Sequence, residues 1–220
     1  MYSNHTGTSF LMQSNKDGDA INLFIVKDAQ TPTGIGTTLG YYTPQFDWLV
    51  IKISEVGRFK KTISHEVGHF FSLDHPFLGW DHEPYDEAEH GNPVGANSPE
   101  GNPNEYQDGS NCETAGDLIC DTPPDYNFGF GWSNCNYTGG TMDPGGTVVD
   151  PQEINIMSYF LNCAVEDYIF TPMQGELMVT DLNSQSRNYI RPDYIPSHEE
   201  LTGIPQLIAP LNDELQPAYN

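Results

Sequence analysis

The sequence predicts an α+β fold: a small twisted sheet with one helix against it, over a loop-rich lower region that ends in a second helix. Three observations carry this. Short apolar runs at 20–26 (AINLFIV), 39–42 and 48–53 (WLVIKI) have strand length and strand composition. Helical spacing of apolar residues is confined to about 60–73 and 171–184. Between them, 76–155 is rich in Gly, Asn, Asp and Pro and almost free of periodicity, a loop too long to stand unless disulfides or ions fix it.

Taken in order, residues 1–19 are polar, with an apolar island at 10–12, and no long helix reads there. The run 20–26 is dense enough to be a buried strand. Residues 31–38 read as a Gly/Thr/Pro loop. The helix of 60–73 has Thr62 or Ser64 as candidate caps and Ile63, Val67, Phe70 and Phe71 as a candidate apolar face. In the helix of 171–184, Pro172 sits near the start, and Met173, Leu177, Met178 and Leu182 share a face. The tail from Arg191 is punctuated by proline and reads as a linker or the opening of a further β module. The organisation expected is therefore 1–75 as an upper part carrying the first helix, 76–190 as a lower part, and 191–220 as that tail.

Composition narrows the function classes. Eight Lys and Arg stand against 31 Asp and Glu, a net charge of −23 among 220 residues. Such a surface repels nucleic acid and anionic membranes. It fits either a solvated surface or carboxylate sites for calcium. No run approaches the ~18 apolar residues a spanning helix needs. No signal peptide stands at Met1, so export requires this chain to be a processed piece. The four cysteines, Cys112, Cys120, Cys135 and Cys163, fall in loop-rich sequence and point to two disulfides and an oxidising compartment, with three pairings open. No CxxC pair suggests a cysteine zinc cluster.

The chemistry lies in 62–75, TISHEVGHFFSLDH. His65 and His69, four apart on a helix, stack on one face and can reach one zinc ion, and Glu66 projects beside them as a general base for a water on the metal. His75, six residues beyond His69, supplies a third ligand. Three protein ligands leave one position open, as catalytic zinc requires and structural zinc does not. An HExxH arises by chance in such a chain about once in 100, and the added histidine lowers this to below about 1 in 1,000.

The run HExxHxxxxxH resembles the metzincin clan of zinc peptidases. That pattern normally carries Gly three residues after the second His; here the position is Ser72, which must take positive φ at a cost of about 1 kcal/mol if the chain turns the same way. Asn155-Ile156-Met157-Ser158-Tyr159 resembles the methionine turn of the clan, which implies Met157 as an apolar floor beneath the histidines and Tyr159 as an oxyanion donor. The segment 116–124, GDLICDTPP, resembles that of the pappalysin family, especially its cytophagalysin-like bacterial branch. The resemblance covers roughly 20–181.

It implies a metzincin-like fold and a secreted zinc endopeptidase acting on proteins or peptides, with Glu66 and Tyr159 catalytic. It also implies calcium held by Asp117, the Cys120 carbonyl and Thr122, and disulfides Cys112–Cys135 and Cys120–Cys163. Substrate would lie as an extended strand along an edge, with 34–42 the candidate. Leu161-Asn162-Cys163, after the turn, gives no support for an arginine preference, although Glu166 and Asp167 lie close. Such domains usually begin with a strand and a long backing helix; only 64 residues precede His65 and no long helix reads before Ala20, so the upper part, 1–75, is expected to be incomplete in this chain.

Two rivals stand beside this reading. A thermolysin-type hydrolase needs a glutamate as third ligand, against which His75 and the methionine turn argue. A non-catalytic, metal-stabilised binding domain descended from a peptidase would more often have lost Glu66. His82 and His90 read as solvated loop residues, and the sequons at Asn4 and Asn136 are short patterns that recur by chance.

Overall fold

A computed structural model describes residues 5–29 and 38–191. In chain order the elements are α1 (His5–Ser14), β1 (Asn22–Val26), β2 (Gly40–Thr43), β3 (Trp48–Lys52), α2 (Thr62–Phe70), the single-turn α3 (Glu87–His90) and α4 (Pro172–Leu182), with short 3₁₀ turns at Ile53–Glu55, Val165–Asp167 and Gln185–Ile190. This is the α+β architecture expected. Expectations for 30–37 and 192–220, the start of the candidate edge strand and nearly all of the tail, concern residues outside those described.

The three strands form one sheet in the order β1-β3-β2, with β1 parallel and β2 antiparallel to the central β3. Central position and burial coincide: Trp48, Leu49, Val50 and Ile51 are at most 1% exposed. Trp48 and Val50 face Met12 of α1, packing with Phe24, Tyr41 and Phe46. Helix α2 packs on β2 and β3.

The run at 20–26 is therefore an edge strand, not a buried one, and Leu23 and Ile25 lie exposed on it. Residues 5–14, which carried no helical signal, form α1. Only Met12 of its apolar island is buried, while Phe10 and Leu11 face solvent, so hydrophobic spacing could not mark it. In α2 the expected apolar face is also displaced. Of Ile63, Val67, Phe70 and Phe71 only Phe70 is buried, and the inward stripe is Thr62, His65, Glu66, Gly68 and Phe70. Neither candidate cap is used: Lys61 is the N-cap residue without a side-chain bond, and Thr62 instead donates to Glu55.

The lower region has its own core, an aromatic cluster of Phe77, Trp80, Tyr126, Phe128 and Phe160 with Val94 and Val149. Around it, side chains replace regular ladders. Asp143 accepts from Gln107 and Thr147, Asn111 accepts from Tyr106, and Trp80 donates to Asn104. The two disulfides are Cys112–Cys120 and Cys135–Cys163, which corrects the pairing implied by resemblance. The partners lie 5.0 and 4.7 Å apart at Cα, because the turns of 109–122 fold Cys120 back onto Cys112 while the loop after the methionine turn brings Cys163 to Cys135.

Helix α4 begins as expected with Pro172 in its first turn, capped by a reciprocal Thr171–Gln174 box. Of the face expected, Met178 packs inward beside the buried Gln174, Leu182 is partly covered, and Met173 and Leu177 are exposed.

Candidate metal centre

Helix α2 places His65 and His69 one turn apart, and a tight turn returns His75 to face them. Phe71 caps the helix, Ser72 takes φ +67°, Ser72 N–H donates to His69 O at 3.0 Å, and Leu73 N–H donates to Gly68 O at 3.0 Å. These two bonds form a Schellman turn built with serine at the position that favours glycine.

The three Nε2 atoms converge: His75 Nε2 lies 3.2 Å from His65 Nε2 and 3.0 Å from His69 Nε2. The opposite ring nitrogens each face an acceptor. His65 Nδ1 meets Ile156 O at 2.8 Å, His69 Nδ1 meets Leu73 O at 2.8 Å, and His75 Nδ1 meets Asp81 Oδ1 at 2.5 Å. Each acceptor fixes the proton on Nδ1 and leaves the Nε2 lone pair pointing inward. Burial pushes all three imidazoles below their usual range, helped at His65 and His75 by the neighbouring His69. Three neutral imidazoles with oriented lone pairs fit a borderline-soft divalent cation such as zinc.

Glu66 is buried against β2. A Cβ on Gly40 would stand 3.1 Å from its Oε1, and the Tyr42 backbone hydrogen-bonds to it. Burial pushes Glu66 up to about 8. A cation at the adjacent histidines opposes that shift. The Tyr159 ring lies 4.9 Å from that of His75 and 5.8 Å from that of His65. Burial, then Asp81 and Glu66, raise its phenol, which stays protonated at neutral pH.

Met157 is fully buried beneath α2. A Cβ at Gly68 would come within 2.3 Å of its sulfur, which explains a glycine inside the helix. The turn is held by Asn155, whose side chain accepts from Met157 N–H at 2.8 Å and pairs with the buried Gln174 amide.

Asp117 and Thr122 meet directly, Thr122 Oγ1 donating to Asp117 Oδ1 at 2.8 Å. Asp117 Oδ2 is buried without a protein partner. Glu105 lies beside it, and a Cβ on Gly116 would stand 2.6 Å from Glu105 Oε2. Burial pushes Glu105 up to about 8, with the Asp117 charge adding to it, and Asp117 up to about 7. His90 is not solvated alone: it packs on Trp80, accepts at Nδ1 from Asp86 N–H and contacts Glu83 at 3.1 Å. Sequence reasoning missed Asp81 and Glu105. A carboxylate six residues after the third histidine was the only available signal for Asp81.

No family model and no curated protein matches the chain. Among solved structures it is similar to mature mirolysin of Tannerella forsythia in complex with a cleaved peptide, at 20% identity and a TM-score of 0.45. That match covers 77% of this chain, which spans 55% of the mirolysin chain.

Proposed function

We propose that this chain is the catalytic domain of a zinc-dependent endopeptidase of the pappalysin type. The observation that carries the reading is the convergence of three Nε2 atoms whose Nδ1 atoms are all engaged, beside a buried carboxyl. His65, His69 and His75 would hold the ion. Zinc bound there supplies a Lewis acid that polarises a scissile carbonyl and acidifies water.

Glu66 takes a proton from the attacking water and returns it to the leaving amine. Its enclosure behind β2 keeps bulk water from competing for that proton. Tyr159, protonated and packed edge-on to His75 and tilted against His65, donates to the oxygen that gains charge as the tetrahedral state forms. The outer edge of β2 offers backbone groups for an extended peptide. In this reading His75 marks the boundary between an upper part, 1–75, and a lower part, 76–190, with substrate lying between them.

Calcium at Asp117, the Cys120 carbonyl and Thr122 belongs to the same proposal. The buried, partnerless Asp117 Oδ2 and the neighbouring Glu105 support a cation there. Two disulfides fit an extracellular location, and among the described residues no helix is long and apolar enough to cross a membrane.

The test is bound zinc by elemental analysis and cleavage of a denatured protein, for wild type and Glu66→Ala. One zinc in both with cleavage by wild type alone is the expected result. Zinc in both with cleavage by neither would replace this reading with the non-catalytic binding domain.

A further inference from the structure

Lys61 opens α2: its carbonyl accepts from His65 N–H at 3.0 Å. Its side chain runs the other way, into the lower region. Nζ donates to Ser158 O at 2.6 Å, reaches Asn155 O at 3.4 Å, and sits 4.3 Å from the centre of the Tyr168 ring. Those two carbonyls belong to Asn155 and Ser158, which bracket Ile156 and Met157 and are joined by the bond from Ser158 N–H to Asn155 O.

Tyr168 continues the same grip. Its hydroxyl donates to Phe160 O at 2.5 Å and accepts from Cys163 N–H at 3.3 Å. Tyr159 is thus flanked by two restrained carbonyls, Ser158 O under Lys61 and Phe160 O under Tyr168. On the other side Ser158 Oγ donates to the buried Asp125 at 2.6 Å, so the residue before Tyr159 is fixed at both its main chain and its side chain.

We infer that Lys61, working through Tyr168, is a positioning residue that sets where the Tyr159 phenol stands relative to the histidines and Glu66. A side chain rooted at the start of α2 and bonded to the turn below adds a tether on the Tyr159 side of the turn to the contacts that His65 and Gly68 make with Ile156 and Met157. Two bonds to main-chain carbonyls and a ring contact resist displacement in different directions. The inference rests on the peptidase reading for the role given to Tyr159, but its geometric content does not.

The test uses the full chain. Turnover of a peptide by zinc-loaded protein is measured for wild type, Lys61→Met, Lys61→Arg, Tyr168→Phe, Tyr159→Phe and the Lys61→Met/Tyr159→Phe pair. In parallel, metal-free protein labelled with 3-fluorotyrosine is followed by fluorine NMR, and the Tyr159 resonance is identified by its loss in Tyr159→Phe. Lys61→Met is expected to lower kcat about 30-fold with little change in KM, and to shift or broaden the Tyr159 resonance. Lys61→Arg should restore most of both, and Tyr168→Phe should act in the same direction more weakly. In the Tyr159→Phe background, Lys61→Met should cost less than about 3-fold.

Equal losses in both backgrounds, a loss confined to KM, or an unmoved resonance would overturn the inference. If Lys61→Met does not fold, Lys61→Arg and Tyr168→Phe carry the same comparison. If wild type cleaves nothing, the peptidase reading falls, and the resonance alone still decides whether Lys61 positions Tyr159.

Discussion

The sheet and helix of residues 22–29 and 38–70, and residues 76–163, hold the two halves of the candidate site by different physics. The first segment uses periodic backbone: β3 is sandwiched between two strands, Leu49 and Ile51 are fully buried, and α2 stacks two ligands on its inward face. The second has one four-residue helix, and its order comes from an aromatic cluster, two disulfides and side chains that substitute for ladder partners. Ligand spacing is set by the first kind of structure. The residues that orient those ligands, Asp81 at His75 and Ile156 at His65, come from the second. An irregular region can therefore be as exacting as a regular one when most of its buried polar groups have designated partners.

The largest expected effect tests whether the lower region is a true core. Leu49→Ala and Phe160→Ala each remove a side chain with no solvent exposure, one from the sheet and one from the aromatic cluster. Each should cost about 3–5 kcal/mol in denaturant unfolding. A loss below about 1 kcal/mol for Phe160→Ala alone would mean that the lower region is held by its cross-links and not by packing.

Next comes Asp81. Its carboxylate is the only side-chain acceptor among the three that face the ring nitrogens; His65 and His69 use main-chain carbonyls. Asp81→Ala should weaken zinc affinity about 10–100-fold in chelator competition, while a variant at an exposed acid such as Glu113 leaves it unchanged. Equal affinity for Asp81→Ala and wild type would show that packing alone orients His75, whose ring stacks on Phe77 at 4.4 Å.

The buried acids give a smaller effect with a defined sign. Glu66 and Glu105 are pushed up to about 8 and Asp117 to about 7. Groups raised in the fold contribute stability that is fully present below their unfolded values and is lost as pH rises through the folded ones. Lys61, pushed down to about 7, works against this and offsets one proton. The depressed histidines cost stability only below about pH 6.5. Metal-free protein should therefore lose about 5 °C in Tm between pH 6.5 and 8. Calcium added to protein that keeps its zinc should raise Tm, and more at pH 8 than at 6.5, because it neutralises Glu105 and Asp117. A Tm indifferent to calcium at both values would remove the calcium proposal and leave the zinc proposal standing.

The same contrast decides what was legible in the sequence. Strands at 22–26, 40–43 and 48–52, both principal helices and the spacing of His65, Glu66, His69 and His75 follow local rules, so one chain reveals them. The inward face of α2 did not follow from hydrophobicity, because the buried stripe holds Thr62, His65 and Glu66 while Ile63 and Val67 are only partly covered. Burial there serves chemistry, and apolar spacing reports only burial that serves packing. Lys61 with Ser158, Glu105 with Asp117 and Cys135 with Cys163 were out of reach for another reason. Their partners are joined through turns without periodicity, and no local preference encodes which distant loop returns to which.

Ser72 offers the finest test, because sequence and structure agree on it. The position calls for glycine, and the chain reaches the turn regardless, with serine exposed at φ +67°. A side chain in that conformation costs about 1 kcal/mol, and the two Schellman bonds with the burial of Leu73 outweigh it. Ser72→Gly removes the penalty but also frees the unfolded chain, which returns part of the gain. The expected net is a stabilisation of about 0.5–1 kcal/mol, with zinc affinity unchanged because Leu73 O still accepts from His69. Ser72→Val, branched at Cβ, should lose about 1 kcal/mol and weaken zinc as the Leu73 carbonyl shifts. If Ser72→Gly gains stability and loses zinc affinity, the strained serine is itself holding His69 in place, and the turn belongs with the lower region's exacting contacts and not with the regular helix it ends.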